Sequence, residues 1–214
     1  MEDLNKHIDQ TILNPSATKA EIVAFLCDVE KYEFYAAVIN PCWVYLVRRV
    51  LPKNIKVCSV VGFPFGASTT KAKVYAAQDL IAMGCDEIDM VLNIGQLKDK
   101  NFKYVGKEIK SVVDAAQGRI VKVIIETCVL DTDEKQAAAR IVKESGAHFV
   151  KTSTGFSSEG AKVEDVALLR RVVGPKFGVK ASGGIRQRVF AVELIKAGAN
   201  RIGTSSGVQI MNSG

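Results

Sequence analysis

Residues 121–154, VKVIIETCVLDTDEKQAAARIVKESGAHFVKTST, hold one complete strand–helix–strand unit. The run VKVIIET is short, β-branched and nearly all apolar, the composition of a strand covered on both faces. TDEKQAAARIVKESG then spaces its apolar residues near 3.6, the mark of a helix with one buried face. Asp131 with Glu134 three residues on is an Asx version of the capping box, and Gly146 stands where a left-handed closing residue belongs. HFVKTST is a second short apolar run, ending in Lys151 and then in hydroxyls.

The same alternation runs outward in both directions. KHIDQTIL, AAVIN, KVCSVVG, EIDMVLN, GVKASGG and NRIGTSS bring the strand candidates to eight, the first being the weakest. Helical spacing fills the gaps in TKAEIVAFLCDVEKYEF, TKAKVYAAQDLIAMG, FKYVGKEIKSVVDAAQG, KVEDVALLRRVVG and QRVFAVELIKAG, with a short last helix in GVQIMNSG. Gly84, Gly118, Gly174 and Gly198 end their helices as Gly146 does. Strict β-α alternation with apolar strands means a parallel sheet covered by helices. Eight strands recurring at roughly 20–30 residues favour a closed (β/α)8 TIM barrel over an open sheet. No linker or low-complexity stretch divides the sequence, so residues 1–214 are expected to form a single domain.

Composition narrows the function. The chain is 48% hydrophobic and 24% charged, ordinary for a globular protein. Its longest apolar runs, such as VVGFPFGA, are too short to span a bilayer, and the N-terminus lacks a secretory pattern, so a cytoplasmic protein is expected. Five cysteines without a C-x-x-C pair argue against a disulfide framework or zinc ribbon. Most are expected to be small buried hydrophobes, with Cys42 beside Pro41 more exposed. The net charge of +6 is spread at helical spacings beside acidic partners, so neither nucleic acid nor membrane is an expected partner. His7 and His148 lie in unrelated places and no G-x-S-x-G occurs, so neither a metal site nor a Ser-His-Asp triad is expected.

In a parallel barrel the chemistry gathers at the C-terminal strand ends. The groups there that a packed core would not want are Asp9 and Thr11, Asn40, the GFPFG turn, Asp86, Asp89 and Asn93, then Glu126 and Thr127. The last three strands add Lys151 to Thr154, Lys180 and Ser182, and Thr204 to Ser206. Lys151 and Lys180 occupy matching positions on neighbouring strands. A lone strand-end lysine more often snorkels to solvent or pairs with a carboxylate such as Asp89 or Glu126. Two in matching places, near the buried-looking Asp89, turn the balance toward function. Mutual repulsion and burial are expected to lower the pKa of both lysines. A fall of ~3 units from ~10.4, about 4 kcal/mol, makes a free amine abundant and nucleophilic toward carbonyls.

ASGGIR and GTSSG follow strands seven and eight, the usual phosphate position in such barrels. Their glycines let backbone N–H groups approach an anion, and Ser205 and Ser206 add hydroxyl donors.

On VVGFPFG, GCDEIDMVLNIG, KVIIET, FVKTSTGF, VKASGGIR and RIGTSSG, the chain resembles the deoxyribose-phosphate aldolases, class I aldolases on a (β/α)8 barrel. The resemblance implies a Schiff base at Lys151, pKa modulation by Lys180, and proton transfer through Asp89 and a water. It implies that Gly155, Gly183, Gly184, Gly203, Ser205 and Ser206 hold phosphate, that Asp9 and Thr152 line the polar face of the substrate, and that no cofactor is needed. The implied reaction is reversible cleavage of 2-deoxy-D-ribose 5-phosphate to D-glyceraldehyde 3-phosphate and acetaldehyde, in a family that is often dimeric. Gln10 stands where members commonly show histidine. The sequence stops at Gly214 without the terminal-tyrosine tail of some relatives, which leaves Asp89 and water as the expected proton carriers. Two rival readings are a sugar-phosphate isomerase or epimerase, which would want a carboxylate base and no lysine pair, and a basic binding module for RNA or anionic surfaces.

Overall fold

The computed structural model describes residues 3–213. Eight strands close into a parallel barrel in chain order. They are β1 (Ile8–Ile12), β2 (Ala36–Ile39), β3 (Lys56–Val61), β4 (Glu87–Val91), β5 (Ile120–Ile124), β6 (Phe149–Lys151), β7 (Gly178–Ser182) and β8 (Arg201–Thr204). Pairing of Ile8 with Ile202 and Asp9 with Gly203 joins the last strand to the first. Each expected strand is present and each ends one to three residues earlier than the sequence pattern, where the chain leaves the ladder and becomes loop.

The helices around it are α1 (Lys19–Lys31), α2 (Val44–Val50), α3 (Thr70–Ala82), α4 (Ile94–Lys98), α5 (Phe102–Ala115), α6 (Thr132–Glu144), α7 (Val163–Val173), α8 (Arg188–Lys196) and α9 (Gly207–Asn212). The Asp131–Glu134 capping box forms, and Thr18 with Glu21 builds a second at the start of α1. Gly146 closes α6 with φ +80°, a backbone that a side chain resists. Helix α2 was not expected. Its VYLVRRV is too short to show a period and rich in β-branched residues, but Pro41 starts a helical turn that leads into it. Arg48 then ties its end down, donating to the Leu51 and Pro52 carbonyls and pairing with Asp86 at 2.9 Å. That places Asp86 before β4, at the opposite end from the mouth where the sequence reading put it.

The strands sort their residues by parity. Val57, Ile88, Val121, Val150, Val179 and Ile202 point outward into the main core beneath the helices, and all are fully buried. Burying a side chain of this size contributes about 1.5–3 kcal/mol, so this layer carries the barrel. The alternate positions face the barrel axis. Toward one side of the mouth they are apolar: Leu13, Val38, Cys58 and Val60 form a small separate cluster with Phe63 packed against it. Elsewhere Asp9 on β1 and at least one residue on each of β4 to β8 are charged. Of the cysteines, Cys58 and Cys85 are buried and Cys42 is exposed, as expected; Cys27 is also exposed and Cys128 half-buried, so most are not buried hydrophobes.

Candidate active site

Asp9, Glu87, Asp89, Lys122, Lys151, Lys180 and Arg201 all reach the barrel axis and are at most 5% exposed. Pairing register explains the gathering. Lys151 lies opposite Lys180, Lys180 opposite Arg201, and Asp89 opposite Lys122, so residues of equal parity share the inner face.

Asp89 is the hub. Its Oδ2 accepts from Lys151 Nζ at 2.7 Å and from Lys180 Nζ at 2.8 Å, while its Oδ1 accepts from Lys122 Nζ at 2.7 Å. The Cys58 thiol donates to the same Oδ1 at 3.3 Å. Lys180 continues to Asp9 Oδ2 at 2.6 Å, and Lys122 to Glu87 Oε2 at 2.7 Å. Arg201 completes the set, donating from Nε to Asp9 at 2.7 Å and reaching Glu87 at 3.3 Å. Its guanidinium lies over the Tyr35 ring, 3.4 Å from the centroid.

These neighbours push the lysines in opposite directions. Burial lowers all three, but around Lys122 and Lys180 the carboxylates outweigh it and both end above the ordinary lysine value. Around Lys151 burial wins. Asp89 opposes it, the positive Lys180 reinforces it, and the amine is held below the ordinary value. The expectation that both lysines are lowered therefore fails for Lys180, because it has two carboxylate partners where Lys151 has one. Asp89, buried among three ammonium groups, is held well below the usual carboxylate range, since those charges outweigh its burial.

Above the cluster opens a cavity of about 400 Å³. Lys151 lines it, as do Gly155, Gly183, Gly184, Gly203 and Ser205, five of the six residues expected at the anion position. Ser206 is not in the lining; its N–H turns back to the Thr204 hydroxyl at 2.9 Å. Gly183 and Gly184 both have positive φ, and a Cβ on the facing Gly160 would sit 2.1 Å from the Gly183 carbonyl oxygen. Only two glycines can pass this closely. Gln10, at the departure noted in the sequence, fastens the GTSSG loop to β1 by accepting from Gly207 N at 3.0 Å and donating to the Ser205 carbonyl at 3.3 Å. Phe156 forms the apolar edge of the mouth and packs edge-on against Phe63, centroids 5.3 Å apart.

Asp9 and Thr152 are fully buried beneath the cavity instead of lining it. Asp9 faces Lys180 and Arg201, and Thr152 stitches β6 to β7, accepting from Ser182 N at 3.1 Å and donating to the Ser182 carbonyl at 3.2 Å. Glu126 is not a lysine counter-ion; it binds the Thr154 hydroxyl at 2.5 Å. His148 is exposed, away from the cluster, and takes the Val121 N–H at 3.1 Å. Glu87, Lys122 and Arg201 escaped the sequence reading; Lys122 stands between the outward-facing Val121 and Val123, as Asp89 stands between Ile88 and Met90, whereas Glu87 and Arg201 open their strands after polar residues and carry no such signal.

A closed barrel with a buried amine at the base of a glycine-walled cavity has the construction of a TIM-barrel enzyme for small polar substrates. The sequence model of the "DeoC/LacD family aldolase" matches residues 4–213. A deoxyribose-phosphate aldolase of Enterococcus faecalis is 50% identical over 212 residues, 98% of this chain and 96% of that one. Two solved structures superpose closely. One, described as QR15, an aldolase, has a TM-score of 0.95 at 40% identity, covering 98% of this chain and 95% of its own. The other, a tetrameric deoxyribose phosphate aldolase from Aeropyrum pernix, has a TM-score of 0.91 at 34% identity, covering 98% and 90%. The chain belongs to the DeoC/LacD family of aldolases.

Proposed function

We propose that the protein is a metal-independent class I aldolase that reversibly cleaves 2-deoxy-D-ribose 5-phosphate into D-glyceraldehyde 3-phosphate and acetaldehyde. The observation that carries this reading is Lys151. It is the one cluster amine that lines the cavity, and also the cluster lysine whose proton is held least firmly.

In the cleavage direction the free Lys151 amine adds to the C1 aldehyde of the open-chain sugar, and loss of water gives an iminium. A base removes the C3 hydroxyl proton, the C2–C3 bond breaks, and its electron pair moves through C2–C1 onto nitrogen, leaving an enamine. Protonation at C2 and addition of water release acetaldehyde and restore the amine. The iminium nitrogen is the electron sink, so no cation is needed at this step. Asp89 is ionised at rest among its ammonium neighbours, so it relays protons by taking one up and passing it on, with a water and Lys180 as the other carriers, and does not store one as a carboxylic acid. The glycine loops and Ser205 hold the phosphate through N–H and hydroxyl donors, with Ser206 supporting the turn. Asp9 and Thr152 act on the substrate side through Lys180 and Ser182.

The reading expects a cytoplasmic homodimer, and analytical ultracentrifugation measures the assembly directly. The activity is tested by following acetaldehyde released from 2-deoxy-D-ribose 5-phosphate. Release by the native chain and its loss in Lys151→Met support the reading; unchanged release by the variant removes it.

A further inference from the structure

The ion pairs beneath the cavity close on themselves. Starting from Asp89, contacts run to Lys180, Asp9, Arg201, Glu87, Lys122 and back to Asp89. Signs alternate at every step, three carboxylates and three cations, so the ring is neutral. Lys151 hangs from Asp89 as a fourth cation with no carboxylate of its own. In a buried site an unmatched charge is expensive, whereas a matched ring is not. The least costly way to remove the excess is for Lys151 to release its proton.

We propose that this ring acts as one device that sets how readily Lys151 loses its proton, with Glu87, Lys122 and Arg201 as positioning residues working through Asp89 and Asp9. The proposal rests on the reading of Lys151 as the Schiff-base amine. None of the three touches the cavity, so their effect on Lys151 is carried by charge alone.

Among the described residues, the ionisable groups on the inner face of the barrel wall enter this count. Asp9 comes from β1, Cys58 from β3, Glu87 and Asp89 from β4, Lys122 from β5, Lys180 from β7 and Arg201 from β8. Cys58 stays a thiol, because burial and Asp89 raise it well above its ordinary value. Glu126, beyond β5, is occupied by Thr154. On the helices outside β6, Lys135 and Asp165 pair with each other at 2.6 Å. The members respond as a ring should: Lys122, Lys180 and Arg201 are held above their ordinary values by their carboxylates against burial, and Lys151 alone among the four cations falls.

A ring sets Lys151 by its total charge, and this separates it from a structural support. Glu87→Gln leaves the ring one positive charge in excess and lowers the Lys151 pKa. Lys122→Met leaves it one negative charge in excess and raises that pKa. The double variant is neutral again. The test is the rate at which acetaldehyde and borohydride label Lys151, measured by mass spectrometry across pH in all four proteins, with circular dichroism to confirm folding. The midpoint is expected to move down in Glu87→Gln and up in Lys122→Met, each by about one unit, a tenfold change in labelling rate at pH values below the midpoint. The double variant is expected to return toward the native midpoint. If Lys122→Met does not fold, the downward shift in Glu87→Gln still decides, because a loosened cluster that hydrates Lys151 moves the midpoint up. Shifts of the same sign, or no shift, overturn the ring while leaving Lys151 as the reactive amine. Absence of any native adduct overturns both readings.

Discussion

Lys151 and Lys180 end on the same oxygen, Oδ2 of Asp89, at 2.7 and 2.8 Å, yet one amine is driven below its ordinary pKa and the other above it. The difference is Asp9, which holds Lys180 from its far side at 2.6 Å and does not reach Lys151. Lys180 is thereby the standing positive charge against which Lys151 titrates.

Removing that charge has a definite sign. In Lys180→Leu, Asp89 loses a cation and attracts the Lys151 proton more strongly, so the pKa of Lys151 rises. Less free amine is present near neutral pH, and labelling by acetaldehyde and borohydride recovers only under more alkaline conditions. A shift of about one unit corresponds to a tenfold change. An unchanged pH profile would remove Lys180 from this role. The same variant removes one partner from each of two buried carboxylates, although Asp89 keeps Lys122 and Lys151 and Asp9 keeps Arg201, and is expected to cost about 3–5 kcal/mol in urea unfolding.

Acid should weaken the barrel from within. Burial raises the Asp9 carboxyl, but Arg201, Lys180 and Lys122 overcome it and pull the pKa down to about 2 from 3.8. A carboxylate with a depressed folded-state pKa stabilises the fold above its unfolded value, and that contribution fades as pH falls through the folded one. Between about pH 4 and pH 2 Asp9 alone removes roughly 2 kcal/mol, and Asp89 adds to the loss. Urea midpoints measured over this range should fall steeply in the native chain and less in Asp9→Asn. Parallel curves would contradict the assignment.

The anion loop can be disturbed without touching the amine. A methyl group on Gly160 would meet the Gly183 carbonyl oxygen at 2.1 Å, so Gly160→Ala forces the Gly183–Gly184 turn outward. The KM for 2-deoxy-D-ribose 5-phosphate is expected to rise about tenfold, the loss of roughly 1.4 kcal/mol of binding. Acetaldehyde labelling of Lys151 should stay near the native rate. Equal damage to both would show that the loops and the amine form one structural unit.

Chelation addresses the electron sink. With the iminium in that role, dialysis against EDTA leaves the cleavage rate unchanged. Among the described residues no three His, Cys, Asp or Glu side chains gather in a way that could hold an ion. A loss of activity restored by a divalent cation would contradict the Schiff-base route.

The fold was legible because short, nearly continuous apolar runs alternate with segments of period 3.6 from Ile8 to Thr204, and the cap residues marked the joints. Helix α2 was not, since seven residues rich in valine show no period. The mouth of the site was legible in part: Lys151 ends an apolar run where a loop begins, Lys180 matches it on the next strand, and Asp89 interrupts an apolar strand. Lys122 and Arg201 lie opposite Asp89 and Lys180, and Glu87 opens β4, but a charge inside or at the start of a strand resembles an ordinary solvent-facing residue. Only the closure of the barrel, which brings β1, β4, β5 and β8 around one axis, turns those isolated charges into partners. Asp9 and Thr152 fall in the same class: their positions along the strands are evident, their depth beneath the cavity is not.

The most direct test is borohydride reduction of the native protein in the presence of acetaldehyde, followed by peptide mass spectrometry. The mechanism requires one ethyl group, carried on the peptide that contains Lys151, with Lys122 and Lys180 unmodified and cleavage activity lost in proportion to labelling. Labelling confined to another lysine, or full activity in fully labelled protein, would contradict it.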